Sequence, residues 1–332
     1  MKEYKENKID HTFSVAPMLD WTDRHCRYFY RTMSKRAVLY TEMVTTGAII
    51  YGKGDYLAFS EPEHPLVLQL GGSDASDMAK AAEIAQARGY DEININVGCP
   101  SDRVQNGFFG ACLMEAPEQV AACVSAMQQS CDIPITIKTR IGIDDSDEYE
   151  FLQKFVDITA ASGCQHFIIH ARKAWLQGLS PKQNRDVPPL NYPRVYQLKQ
   201  EFPDLQVDIN GGILTLDDAK THLQQLDGVM MGRAVYQNPY LMMDVDEQIY
   251  GQQGIRLSRR EVVEAMYPYI EAQTNSSEEY RASSWHIARH MLGLFNGQPR
   301  AKIWRRFLSE NARAMPTGTE LFKRALQAVY GD

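Results

Sequence analysis

The chain has 332 residues, 44% of them hydrophobic and 23% charged, with a formal net charge of −7, a globular composition in a length that suits two domains or one large domain with an appendage. No stretch approaches the ~18 consecutive apolar residues of a membrane span, and the opening MKEYKENKIDHTF lacks the apolar segment of a secretory signal. Six cysteines without a CxxC pair argue against a disulfide framework and against zinc or iron–sulfur ligation, so the expectation is a cytoplasmic protein with reduced thiols, no membrane anchor and no metal.

Eight short apolar runs are predicted strands: Phe13–Pro17, Val38–Met43, Pro65–Leu70, Glu92–Val97, Ile135–Lys138, Phe167–Ala171, Gln206–Gly211 and Gly228–Arg233. Between them the pattern turns helical. Asp74–Arg88 is alanine-rich and opens on capping residues, Glu118–Gln129 and Glu148–Ala161 carry apolar residues at three- and four-residue steps, and Leu216–Leu223 follows Thr215. Alternating strands and helices imply a parallel sheet. Eight such units over about 230 residues fit a (β/α)8 TIM barrel, whose usual size is about 250. A doubly wound open sheet is the alternative, but it usually shows a Gly-rich turn after its first strand, where this chain has APMLDWTD.

Gly and Gln cluster near Gly251–Ser258, and four amphipathic helices are predicted beyond: Arg259–Gln273, Ser283–Phe295, Pro299–Ala312 and Gly318–Tyr330. A small C-terminal helical bundle is their simplest packing, which divides the chain into domains 1–250 and 258–332. Trp304, Leu308 and Ile303 are expected to face the bundle core. From Arg281 to Asp332 nine Lys/Arg stand against three Asp/Glu, net +6, leaving −13 for the rest. An acidic body with a basic tail suits a polyanionic partner at one end, although a solvated helical face gives the same count.

The strand ends carry the chemistry. Pro17-Met18, Glu42, Gln69, Asn96 with Cys99, Lys138, His170, Asn210-Gly211-Gly212 and Gly232-Arg233 all fall at or just past a strand's C-terminus. In a barrel these points converge on the face that holds active sites. The seventh and eighth turns, INGGI and MMGRA, are the phosphate position of many barrels: glycines let backbone N–H groups approach an anion, and Arg233 adds a charge. A phosphate cofactor there, with Gln69, Lys138 and His170 at the mouth, suggests flavin mononucleotide, with amides on its pyrimidine edge and a lysine near N1. Pyridoxal phosphate would also use a strand-end lysine, but leaves Arg140 and the Cys99 thiol without a task.

SVAPMLDWTD, TEMVTTGAI, LQLGGSD, EININVGCPSDRVQNGFFGACLM, IKTRIGID, IIHARKAWLQGLSPK, INGGI, GVMMGRAVYQNP and RHMLGLFNGQPRAKIWRRFLSEN span essentially the whole chain. Together they resemble the tRNA-dihydrouridine synthases, most of all the DusA subfamily. The resemblance implies FMN-dependent reduction of the C5–C6 double bond of uridine, with NADPH as reductant, at positions 20 and 20a of the tRNA D-loop. It implies cofactor contacts from Pro17, Met18, Leu19, Gln69, Lys138, His170, Asn210, Gly211, Gly212, Gly232 and Arg233. It also implies Cys99 as the acid: hydride goes to C6 from flavin N5, and C5 needs a proton from a neutral group of suitable acidity. A thiol of ordinary pKa near ~8.5 is mostly protonated at neutral pH. Gly98 and Pro100 would fix its direction.

A uridine in a folded elbow reaches a barrel mouth only by leaving its stack, so the protein must hold the flanking backbone. Asn96 could bond the uracil edge, while Asn94 could serve the interior instead. Basic residues gather in the loop after the sixth strand (Arg172, Lys173, Lys182, Arg185) and in the bundle (Arg289, Arg300, Lys302, Arg305, Arg306). Lys182, Arg185, Lys302 and Arg305 are the expected tRNA contacts, and the expected state is a monomer. Two other readings remain open at this point: a small-molecule flavin reductase of the dihydroorotate dehydrogenase kind, and a non-catalytic RNA-binding module.

Overall fold

The computed structural model describes residues 9–101, 107–276 and 281–331. The leading MKEYKENK, the DRVQN stretch of the loop after Cys99, residues 277–280 and Asp332 lie outside the described residues. Eight strands are present: β1 Phe13–Val15, β2 Val38–Thr45, β3 Leu66–Gly71, β4 Glu92–Val97, β5 Ile135–Arg140, β6 His166–His170, β7 Gln206–Asn210 and β8 Gly228–Met231. They form a closed barrel in sequence order, all parallel, with β8 pairing back onto β1 through Ser14 and Met230. The predicted (β/α)8 barrel is therefore the observed fold, and the open-sheet alternative is excluded. No helix among the described residues is long and apolar enough to cross a membrane.

The chain divides into two compact units, Met1–Leu19 with Val38–Gly232, and Asp20–Ala37 with Arg233–Asp332. In the barrel unit the helices form where capping and periodicity place them. Asp74 accepts from the Asp77 N–H to start Ala75–Arg88, which stops at Gly89 in the left-handed region. Thr215 and Asp218 make a reciprocal capping box for Leu216–His222.

The barrel interior has an apolar part and a polar part. Ala16, Val38, Tyr40, Val67, Ile168 and Met230 form one buried cluster. Toward the N-terminal ends of the strands the filling is ionic. His11 Nε2 meets Glu92 Oε2 at 2.8 Å, and His166 Nε2 meets Asp208 Oδ2 at 2.8 Å. The two imidazole rings cross at 4.4 Å. Ligand atoms of His11, His166 and Asp208 lie within 4.8 Å of one another, but each imidazole is already hydrogen-bonded to a carboxylate. Gly228 makes the room: a Cβ there would sit 2.4 Å from the His11 carbonyl oxygen and 2.5 Å from an Asp208 oxygen.

In the second unit the expected helix Arg259–Gln273 is two helices, Arg259–Ala265 and Tyr267–Thr274. Pro268 is the reason, since it lacks the N–H that a continuous helix needs. Ser284–Met291, Ala301–Asn311 and Glu320–Tyr330 follow as expected. Trp304 and Leu308 are fully buried, one helical turn apart, whereas Ile303 is 41% exposed. The expectation that Ile303 faces the core is corrected: a 3.6-residue turn rotates it about 100° off the Trp304 stripe. Helix Arg24–Arg31, which lies between β1 and β2 in sequence, groups with this unit through Asp23. The Asp23 carboxylate caps its own helix at His25 and Cys26 and receives Arg289 at 2.6 Å and His290 at 3.0 Å. Burial alone would raise its pKa, but the bond and charge of His290 hold it well below the usual carboxylate range.

The His11–Glu92 pair makes stability depend on pH. Burial opposes the imidazolium, yet the charge and bond of Glu92 raise the His11 pKa above its ordinary 6.5. Burial likewise opposes the carboxylate, and His11 lowers Glu92 below its ordinary 4.5. The His11 contribution is complete below pH 6.5 and lost as pH rises through its raised value, while that of Glu92 is complete above pH 4.5 and lost as pH falls. Glu92→Gln should therefore cost about 3 kcal/mol in urea unfolding at pH 6. The loss should shrink as pH rises through the raised His11 value, where the imidazolium loses its proton.

Candidate active site at the C-terminal mouth of the barrel

Cys99 lies two residues past β4 and is held by backbone contacts on several sides. Asn96 Oδ1 accepts from the N–H groups of Gly98 (3.1 Å) and Cys99 (2.9 Å). Arg140 Nε donates to the Gly98 carbonyl at 2.8 Å, and the Ala111 N–H to the Cys99 carbonyl at 2.9 Å. The thiol itself is half-buried and lies 3.6 Å from Ser101 Oγ. Cys26, Cys123, Cys131 and Cys164 are buried. Burial pushes Cys123 up to about 11 and Cys164 up to about 12, which leaves them as inert core thiols. Of the six, only Cys99 and Cys112 are partly accessible, and burial raises the Cys112 pKa too.

Glu42, Gln69 and Lys138 are not strand-end residues, because β2, β3 and β5 run on to Thr45, Gly71 and Arg140. The sequence boundaries were short by one or two residues since these strands finish on polar or glycine positions that carry no apolar signal. Lys138 and Arg140 instead share the inner face of β5 by the two-residue period. Lys138 Nζ donates to Asn210 Oδ1 at 3.0 Å, and Asn210 Nδ2 donates to the Met230 carbonyl at 2.8 Å. Burial, then the charge of Arg140, lowers the Lys138 pKa to about 7, against an opposing influence of Cys99. His170 is pushed far below its ordinary value by burial and then by Arg140, Lys138, Arg172 and Arg185. The leading charges acting on this imidazole are cations, a field that favours an anion at the mouth.

Arg140 has a task that residue type alone did not reveal. Besides Gly98, it donates to the carbonyls of Lys173 (3.0 Å) and Asn184 (3.1 Å), and so clamps the Cys99 loop to the loop after β6. Asn184 was also missed. It is fully buried, accepts from the Trp175 N–H at 2.7 Å and donates to the Trp175 and Leu179 carbonyls. This internal frame leaves Lys182 and Arg185 exposed. Their sequence neighbours are tied down: Lys173 pairs with Asp147 at 2.8 Å, and Arg172 donates to the Pro188 carbonyl.

Among the expected cofactor residues, Gly211 sits at φ +111°, where a Cβ would lie 2.4 Å from the His170 ring. Gly212 follows at φ +72° and is exposed. After β8, a Cβ on Gly232 would touch Ala16 and Met18 at ordinary distances. Pro17 and Met18 are half-buried after β1, Leu19 is 64% exposed, and Arg233 opens helix Arg233–Gln237. Gln69 is 1% exposed, bonded to Asn94 and Asn96. The two amides that sequence could not separate therefore belong to one network. In the second unit, Lys302 and Arg305 are exposed beside a depression of about 410 Å³ that Gln298 and Arg300 also line.

A family model described as "Dihydrouridine synthase (Dus)" matches residues 14–329. A protein of Shewanella oneidensis named tRNA-dihydrouridine(20/20a) synthase is 61% identical over 98% of this chain and 96% of its own. Proteins of the same name from Vibrio parahaemolyticus (62%, covering 95% of this chain and 96% of theirs) and Escherichia coli K12 (61%, 96% and 91%) are similarly close. A solved 2-naphthoyl-CoA reductase in complex with 2-naphthoyl-CoA superposes with a TM-score of 0.54 at 11% identity, over 71% of this chain and 50% of that one, a likeness of fold alone. With a closed parallel barrel, a half-buried thiol beyond β4 and a cationic mouth in place, the family match over residues 14–329 decides the assignment: the chain belongs to the dihydrouridine synthase family.

Proposed function

We propose that the protein reduces the C5–C6 double bond of uridine to dihydrouridine at positions 20 and 20a of the tRNA D-loop, using FMN recharged by NADPH. The observation that carries this reading is Cys99, half-buried and held beside Lys138 and Arg140 at the barrel mouth. The donor set suits FMN: the leading charges acting on His170 are cations, and the Gly211 turn brings backbone against that ring where any side chain would collide. Gln69, Lys138, His170, Asn210, the glycine turns and Arg233 would hold the cofactor, which supplies hydride when bound.

The rest is done by the chain. Cys99 gives its proton to C5, the charge of Lys138 stabilises the resulting thiolate, and solvent returns a proton to the sulfur after the product leaves. Arg140 and Asn96 keep the thiol's loop in place while the base is seated. Asn96 has a second amide N–H that can reach the uracil edge. Lys182 and Arg185 after β6, and Lys302 and Arg305 in the C-terminal helices, meet phosphates of the flanking RNA. The barrel residues through 250 thus carry chemistry, and residues 258–332 carry tRNA recognition, in a monomeric cytoplasmic enzyme. The isolated protein should be yellow, and unmodified tRNA should reoxidise its reduced flavin while orotate and free uracil do not. Reoxidation by orotate would favour a small-molecule reductase.

Three outcomes are expected. Cys99→Ala should bind FMN and oxidise NADPH slowly, but single-turnover dihydrouridine formation should fall about 10²–10⁴-fold. Near-normal formation would remove Cys99 as the acid. Lys302→Ala with Arg305→Ala should weaken tRNA binding and reduce the slope of log affinity against log salt by about one to two, leaving NADPH oxidation intact. FMN binding at pH 8 should take up a proton in the wild type, because an anion restores the charge on a Lys138 whose pKa is about 7. Calorimetry in two buffers of different ionisation heat reads that proton, and Lys138→Met should abolish it.

A further inference from the structure

An unbroken line of hydrogen bonds crosses the barrel interior from its N-terminal end to the Cys99 loop. The Cys99 and Gly98 N–H groups donate to Asn96 Oδ1 (2.9 and 3.1 Å). Asn96 Nδ2 donates to Gln69 Oε1 (2.9 Å), and Gln69 Nε2 to Asn94 Oδ1 (2.8 Å). Asn94 Nδ2 donates to Thr136 Oγ1 (3.0 Å), and Thr136 Oγ1 to Glu92 Oε1 (2.8 Å). The other Glu92 oxygen meets His11 Nε2 at 2.8 Å. Glu92 and Asn94 are fully buried, and Gln69 and Thr136 are 1% exposed.

Every donor in this line points toward Glu92, and both ends enforce that direction. A backbone N–H can only donate, and an ionised carboxylate can only accept. Flipping Asn94 alone would set its NH2 against the NH2 of Gln69. Flipping Gln69 requires Asn96 to flip, and Asn96 cannot, because its oxygen holds two N–H groups. One arrangement of the three amides satisfies all of them.

We propose that Thr136 and Glu92 are positioning residues, which through this line fix the amide orientation of Gln69 and the seat of the Cys99 loop. The inference rests on the FMN-dependent reading above, for Gln69 offers its remaining donor and acceptor to the cofactor in the sense that Glu92 dictates. Without the Thr136 hydroxyl, Asn94 Nδ2 loses its acceptor in a place water does not reach. The penalty either stays there as a buried unpaired donor or passes upward, amide by amide, to Asn96 and the loop. Among the described residues, that hydroxyl has one further hydrogen-bond contact, to the Ile93 carbonyl at 3.4 Å, too weak to replace the link.

The test compares Thr136→Val, which removes the hydroxyl at nearly constant shape, with Thr136→Ser, which keeps it. Thr136→Ala set against the same serine variant repeats the comparison should valine not fold. In apo-protein, FMN affinity read by fluorescence quenching should fall about tenfold for valine or alanine. Alkylation of Cys99 by iodoacetamide, followed peptide by peptide, should become about fivefold faster as the loop loosens. Thr136→Ser should lie within about twofold of wild type in both. Wild-type values in the valine and alanine variants would overturn the proposal, as would a serine variant as impaired as they are, since that places the effect in packing. Wild-type protein that neither binds FMN nor reduces tRNA uridine would instead overturn the function proposed above, and the alkylation comparison would still decide this inference.

Discussion

The two-residue period of β4 is the constraint on which the site depends. Glu92, Asn94 and Asn96 face the barrel interior, as their partners His11, Thr136 and Gln69 establish. Ile93, Ile95 and Val97 face the other way and are buried as well. A slip of one residue would exchange the two sets. It would put three aliphatic side chains against His11 and Gln69 and three polar ones into the helix layer. Cys99 would lose the Asn96 oxygen that receives its N–H. The register Asn94↔Thr136 and Asn96↔Lys138 on β5 is therefore held by polar matching inside the barrel and by apolar matching outside it.

The mouth gathers cations. Arg140, Lys138, Arg172 and Arg185 all lower the pKa of His170, and Arg172 and Arg185 act on Arg140 in the same sense. Such a field favours an anionic ligand. Glu92 and Asp208 are sequestered with His11 and His166 toward the opposite ends of the strands. Charge is paired at the N-terminal end of the barrel interior, and cations gather at its other end.

Much of this was legible in the sequence. Eight apolar runs separated by helical spacers are a period signal, and all eight became strands. Cys99 stood out through its place between glycine and proline past a strand end together with the family resemblance, and its thiol is half-buried where the core thiols are buried. Legibility ended where partners are distant in the chain. Nothing local marks Thr136 as the link between Asn94 and Glu92, 42 and 44 residues away. Nor does anything local mark Asn184 as the frame of its loop, or Asp23 as the residue that draws helix Arg24–Arg31 toward Arg289, 266 residues on. Ile303 was misplaced for a simpler reason: hydrophobicity names candidates for burial, while helix rotation chooses among them.

Strand β5 shows how few positions the site needs. Its inward residues are Thr136, Lys138 and Arg140, spaced roughly 6.6 Å apart along the strand. Each serves a different level. Thr136 closes the amide line onto Glu92, Lys138 reaches across to Asn210 on β7, and Arg140 gathers the carbonyls of Gly98, Lys173 and Asn184 above the rim. A flexible segment could not keep these levels apart, because Lys138 and Arg140 repel each other and would separate if free. Pairing with β4 on one side and β6 on the other holds both charges in place. The work of bringing two cations beside one thiol is thereby done by sheet hydrogen bonds formed on folding, before any ligand arrives.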